Sequence, residues 1–125
     1  MPQFSRRSLD QLETCHPDLQ RLFKAVIKHV DCTVIEGHRG KEAQNKAFAE
    51  GHSQKKWPNG NHNKFPSLAV DVVPFPLDWK DDKAFKALAV FVQATARSMK
   101  INIKWGGDWK TLKDMPHYEL VLEGK

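Results

Sequence analysis

The chain has 125 residues, 40% of them hydrophobic and 28% charged, which suits one soluble domain with a sizeable core and leaves no room for a second binding module. Lys and Arg outnumber Asp and Glu by 20 to 15, a net +5 that favours an anionic partner. The basic residues are scattered in pairs such as Arg6-Arg7 and Lys55-Lys56 rather than gathered in a stripe, so nucleic acid is not the expected partner, and no run approaches the ~18 apolar residues of a membrane span.

The N-terminal stretch Met1 to Arg7 has no apolar segment after it, so an unexported, soluble chain is expected. Ser8 before Leu9-Asp10-Gln11-Leu12 predicts a short capped helix ended by His16-Pro17. From Pro17, the apolar residues Leu19, Leu22, Phe23, Val26, Ile27 and Val30 recur at helical spacing and predict an amphipathic helix. Cys15 and Cys32 are too few for a disulfide framework, so buried or idle thiols are expected, the alternative being a bond between them.

Cys32-Thr33-Val34-Ile35 predicts a strand by its β-branched content, and it runs into the turn Glu36-Gly37-His38-Arg39-Gly40, which sets Arg39 at a strand end. A helix is predicted over Lys41 to Glu50 with Ala43, Ala47 and Phe48 facing inward, Gln44 over the preceding turn and Gly51 as the terminating residue. His52 to Ser67 is rich in Gly, Asn, Pro, Ser and Lys, the chemistry of a loop, and a long ordered loop usually carries function.

Leu68 to Val73 has strand length, a third long helix is predicted from Asp81 or Asp82 to about Lys100, and Ile101 to Trp105 alternates as a half-buried strand does. The last predicted strand is His117 to Leu122, with Tyr118, Leu120 and Leu122 on the core face and His117, Glu119 and Val121 on the other. The fold class is α+β, with helices packed on a small, mainly antiparallel sheet.

Asp71 sits inside the apolar run Leu68-Ala69-Val70-Asp71-Val72-Val73, and a buried carboxylate must be paired, hydrogen-bonded or bound to a metal. With His62 in the loop just before it and His117 on the last strand, the chain offers two imidazoles and a carboxylate, the ligand set of an open catalytic zinc site. Asp114 precedes His117 by three residues and can hang beside the open position as a base. Taken singly, His62 reads as a surface loop residue and His117 as a hydrogen-bonded strand residue. Glu119 shares a strand face with His117 and is a candidate for orienting it. Trp57, in the long loop, is the preferred aromatic wall of a cleft; Trp105 reads as core and Trp109 as either.

Gly37-His38-Arg39 followed by Gln44, His62-Asn63 through Ala69-Val70-Asp71-Val72-Val73-Pro74, Trp105-Gly106-Gly107-Asp108-Trp109 and Asp114-Met115-Pro116-His117-Tyr118-Glu119-Leu120 together resemble the M15 zinc peptidases, above all the phage endolysin branch of L-alanyl-D-glutamate peptidases. The resemblance runs from Phe4-Ser5 to Leu120. It implies the D-Ala-D-Ala carboxypeptidase/hedgehog-like fold over 1–125 as one catalytic domain, Zn2+ held by His62, Asp71 and His117, Asp114 as the catalytic carboxylate, and Arg39 on the substrate's oxyanion or carboxylate. The chain departs from the common family motif where Gly60 replaces a Ser two residues before the first His, and where the stretch to Asp71 is longer and holds Pro66-Ser67; Asn61 or Asn63 is the candidate for the missing Ser hydrogen bond.

The function implied is hydrolysis of the peptidoglycan stem peptide at the L-Ala-D-Glu bond, by a monomeric phage or prophage lysis enzyme that reaches the periplasm once another protein has opened the membrane. A thin, Gram-negative wall fits a chain without a wall-binding domain. The alternatives are a D-Ala carboxypeptidase of the same family and a non-enzymatic basic envelope-binding module.

Overall fold

At the centre of the fold lies a strand that is buried along nearly its whole length. In the structure, a computed structural model that describes residues 2–53, 55–110 and 113–122, this strand is β2 (Ala69–Pro74). Both faces are covered, which is why its sequence is continuously apolar apart from Asp71. β1 (Cys32–Glu36), β2, β4 (His117–Leu120) and β3 (Ile103–Trp105) form one antiparallel sheet in the order β1-β2-β4-β3.

Around the sheet run α1 (Arg6–Leu12), α2 (Pro17–Ile27), α3 (Lys41–Ala49) and α4 (Asp82–Ser98). α2 contributes Leu19, Leu22, Phe23, Val26 and Ile27, and α4 contributes Phe85, Leu88, Ala89, Val92 and Ala96; these are the faces set by helical spacing. They meet Val34, Val70, Val72, Tyr118 and Leu120 in one core, where Phe23 and Tyr118 pack edge to face at 5.5 Å. Cys15 and Cys32 are free, buried thiols, which burial pushes up to about 12. Trp105 is core, and its indole N–H donates to the Met115 carbonyl.

Four local expectations are corrected. Ser5, not Ser8, caps α1: Ser5 Oγ accepts from the Ser8 amide, while the Ser8 hydroxyl is buried against the main chain of Val34. In α3 neither Ala43 nor Phe48 is buried and Ala47 is half-buried; the buried residue is Gln44. β3 begins at Ile103, since Ile101, although buried, is still tied to the end of α4, its amide donating to the Ala96 carbonyl at 2.9 Å. β4 ends at Leu120, leaving Leu122 37% exposed rather than on the core face, because the register with β2 stops at Glu119 and that with β3 at Leu120.

Candidate metal centre and active-site cleft

Strand register brings the first two site residues together. Asp71 on β2 lies directly opposite His117 on β4, and directly opposite side chains in an antiparallel pair share a face. On the other side of β2, after an irregularity between Val34 and Glu36, Asp71 pairs with Glu36, so three strands carry Glu36, Asp71 and His117 in a row.

His62 arrives from a 3-10 turn, Asn61–Asn63, that the polar loop forms just before β2. The turn is tied down at several points. The Arg39 amide donates to the His62 carbonyl at 2.8 Å, the Leu68 amide donates to the Asn61 carbonyl at 3.1 Å, and the Gly60 amide donates to Asn63 Oδ1 at 2.9 Å.

His62 Nε2 then lies 3.2 Å from Asp71 Oδ1 and 3.2 Å from His117 Nδ1, and His117 Nδ1 lies 3.5 Å from Asp71 Oδ1. One face of a tetrahedron with metal–ligand bonds of about 2.0–2.1 Å has edges of about 3.3–3.4 Å. The three atoms therefore stand where zinc-sized coordination requires. All three residues are buried, and they form the group among the described residues able to hold a metal ion.

The outer hydrogen bonds settle which ring nitrogens carry protons. His62 Nδ1 is 2.7 Å from the Gly37 carbonyl, which can only accept, so Nδ1 holds the hydrogen and Nε2 presents a lone pair. His117 Nε2 is 2.7 Å from Glu119 Oε1, and Glu119 is ionised: burial opposes its charge, but His117, Lys104 and Asn61 outweigh burial and lower its pKa. Nε2 of His117 accordingly donates, which leaves Nδ1 as the ring nitrogen that faces Asp71 and His62. With Nδ1 of His117 deprotonated, two imidazole lone pairs and a carboxylate oxygen would converge on one point, the donor set a cation requires; without a cation, a proton on a ring nitrogen ties the imidazoles to Asp71.

The same bias shows in the ionisations. Burial alone would raise Asp71, yet His62 and His117 hold it well below the usual carboxylate range. Burial would lower His117, yet Asp71 and Glu119 bring it up to about 9. The surroundings favour positive charge at this point.

Asp114 Oδ2 lies 3.8 Å from His117 Nδ1, and the side chain is 30% exposed, so it stands beside the three converging residues without joining them. Burial first, and then the charge of Asp71, raise its pKa. The turn that carries Asp114 packs tightly on Gly106, where any side chain would strike the Asp114 carbonyl. Arg39 is held by Glu36, with Nε donating to Oε1 at 3.0 Å and Nη2 to the same oxygen at 2.6 Å, and by Nη1 donating to Gln44 Oε1 at 3.0 Å. Nη2 is also 3.5 Å from Asp71 Oδ2.

These residues open onto a cavity of about 390 Å³ lined by Arg39, Gln44, His62, Asp114, His117 and Glu119 on the sheet side, and by His52, Ser53, Lys55 and Asn59 of the long loop. Trp57 is not among the lining residues, and its amide donates to Asn45 Oδ1 away from the cleft. The aromatic wall is Trp109, whose ring stands 4.9 Å from that of His117. Of the two asparagines beside His62, Asn61 Nδ2 donates to Glu119 Oε2, and Asn63 Nδ2 donates to the Arg39 carbonyl and to Gln44 Oε1.

The family model of the phage L-alanyl-D-glutamate peptidase matches residues 1–121. The chain belongs to that peptidase family. Among relatives, it is 29% identical over 118 residues to the L-alanyl-D-glutamate peptidase of Escherichia phage T5, covering 89% of this chain and 84% of that protein. To the peptidoglycan L-alanyl-D-glutamate endopeptidase CwlK of Bacillus subtilis it is 26% identical over 113 residues, covering 78% of this chain and 65% of the relative. The crystal structure of the Serratia marcescens L-Ala D-Glu endopeptidase ChiX superposes with a TM-score of 0.81 at 35% identity, covering 96% of this peptidase-family chain and 91% of that one. The α+β architecture expected from the sequence is thus the architecture of a family member.

Proposed function

We propose that this chain is a zinc-dependent endopeptidase that hydrolyses the L-Ala-D-Glu bond of the peptidoglycan stem peptide, with residues 1–125 acting as one monomeric catalytic domain. The observation that carries the reading is the convergence of His62 Nε2, Asp71 Oδ1 and His117 Nδ1 on one cation-sized point at the floor of a cleft. The relatives, which are named L-alanyl-D-glutamate peptidases and endopeptidases, supply the substrate class. A role in phage lysis, with access to the wall from the periplasm, follows from the family alone; no helix among the described residues is long and apolar enough to cross a membrane.

His62, Asp71 and His117 would hold the ion. The chemistry zinc supplies there is Lewis acidity, which makes a water acidic enough to deprotonate near neutral pH. Asp114 stands beside that point and opens to the cavity, so its carboxylate takes the proton of the attacking water and hands it to the nitrogen of the leaving amine. Arg39 has five N–H donors; two are held by Glu36, one by Gln44, and a fourth faces Asp71. The remaining N–H of Nη1 is the one available to the carbonyl oxygen as it gains charge.

Purified sacculi incubated with the protein, with and without chelation and zinc replacement, test this. Mass spectrometry is expected to show new N-terminal D-Glu fragments that vanish on chelation. Release of free D-Ala instead would move the activity to a carboxypeptidase, and lysis that survives both chelation and His117→Ala would defeat the metal reading.

A further inference from the structure

α3 docks onto the protein through an amide rather than an apolar stripe. Gln44 is its buried residue, 1% exposed, and an amide side chain has two acceptor lone pairs and two N–H donors. All four are used. Oε1 accepts from Arg39 Nη1 at 3.0 Å and from Asn63 Nδ2 at 3.1 Å; Nε2 donates to Ser53 Oγ at 2.9 Å and to the Lys55 carbonyl at 2.6 Å.

Those partners belong to three separate segments. Arg39 lies on the turn after β1, Asn63 follows His62, and Ser53 and Lys55 belong to the strap whose described residues His52, Ser53, Lys55, Asn59 and Gly60 line the far wall of the cavity. The neighbouring Asn45 holds the other half of the strap through the Trp57 amide. A guanidinium is planar and rigid, so with Glu36 on one edge and Gln44 on Nη1, the direction of the uncommitted Nη1–H is set.

We propose that Gln44 is a positioning residue for the reaction: it fixes in one frame the arginine that faces the scissile group and the strap that receives the stem peptide. The proposal rests on the peptidase reading given above. An error of about 1 Å in placing a reacting group can cost on the order of 10²-fold in rate, whereas an amide that only anchored α3 would affect folding and nothing else.

Three variants separate the two halves of the frame. Gln44→Glu keeps an acceptor for Arg39 and Asn63 but loses both donations to the strap; Gln44→Met loses all four bonds; Ser53→Ala removes the hydroxyl that accepts from Gln44, together with its own bonds to the Lys55 amide and carbonyl, and leaves Gln44 itself intact. Steady-state cleavage of a stem peptide is measured, with kcat expressed per zinc site titrated. Gln44→Glu and Ser53→Ala are expected to raise KM several-fold with a smaller change in kcat, and Gln44→Met to lower kcat by roughly 10- to 100-fold as well. Wild-type KM and kcat per zinc site in all three variants would overturn the proposal, even if their melting temperatures fall.

A second readout needs no activity. Trypsin is expected to cut after Lys55 or Lys56 faster in Gln44→Glu than in the wild type, and equal rates count against the frame. If the wild-type protein cleaves no stem peptide, the peptidase reading fails while the trypsin comparison still decides whether Gln44 holds the strap.

Discussion

Removing the Glu119 carboxylate should weaken zinc binding without touching a ligand. Glu119 Oε1 lies 2.7 Å from His117 Nε2, and Oε2 is steadied by Asn61 Nδ2 at 3.0 Å. The carboxylate therefore fixes the tautomer that points the Nδ1 lone pair of His117 at the metal point, and makes that lone pair more basic. Loss of such an outer partner typically costs 10- to 100-fold in metal affinity, about 1.4–2.7 kcal/mol. At a fixed zinc concentration well above the wild-type dissociation constant, the stabilisation zinc gives to the fold shrinks by the same amount. For a chain of this size, a change of that order lowers the zinc-induced rise in Tm by roughly 5–10 °C. Glu119→Ala should show the full effect and Glu119→Gln, which keeps an acceptor but no charge, a smaller one. Competitive titration against a chelator, with melting curves at matched zinc, gives both numbers. A Glu119→Ala protein with wild-type zinc affinity and an undiminished Tm rise would show that His117 is oriented by packing and not by Glu119.

Asp114→Asn should lower kcat by about 10²- to 10⁴-fold, the usual worth of a positioned general base, while leaving zinc affinity within a few-fold of wild type, since Asp114 is not among the three converging ligands. Parallel turnover and chelator titrations check the split. Cys15 and Cys32, held up at about 12 against an ordinary 9.0, should resist alkylation at pH 8 in the folded protein and react at once in denaturant, their thiolate fraction being roughly 10³ lower. Because the fold keeps these thiols protonated, the stability they contribute is present below 9.0 and lost as the pH rises toward about 12, which urea titrations across that window would detect. One glycine inserted between Lys64 and Phe65 should leave zinc affinity nearly unchanged, whereas Gly37→Ala, whose Cβ would strike the Gln11 carbonyl and the Thr14 hydroxyl, should destabilise the protein and weaken zinc binding together.

Asp71 and β4 were legible because their signals are local. A carboxylate in an apolar run has few explanations, and period-2 alternation puts His117 and Glu119 on one face and Tyr118 and Leu120 on the other, as the register shows. α3 was not legible. Its apolar residues have helical spacing, but the surface it meets is a set of polar groups from Arg39, Ser53, Lys55 and Asn63, so the residue that docks is Gln44, and no periodicity announces an amide as the buried position. Trp57 failed for a related reason. Its place in a long polar loop suggested a wall, yet Asn45 pins the main chain there, while Trp109 reaches the cleft because the turn after β3 carries it against His117. The capping error at α1 is smaller: two serines precede the apolar run, and Ser8 is drawn inward by β1, leaving Ser5 to cap.

The longer stretch between His62 and Asp71 has a physical resolution in the same terms. His62 is not placed by its distance along the chain to Asp71 but by the turn after β1: its ring donates to the Gly37 carbonyl, and its carbonyl accepts from the Arg39 amide. Asn63 adds a third tie through the Arg39 carbonyl, and Ser67 rejoins the body through its amide on the Thr14 carbonyl and its hydroxyl on the Ala69 carbonyl. Between those fixed points, Lys64, Phe65 and Pro66 lie exposed, Phe65 at 74%, so their number can vary while both ends hold His62 against Asp71 and His117. The spacing that departs from the common motif therefore falls where the structure is least sensitive to length, and the demanding geometry sits at Gly37, which leaves room for no side chain.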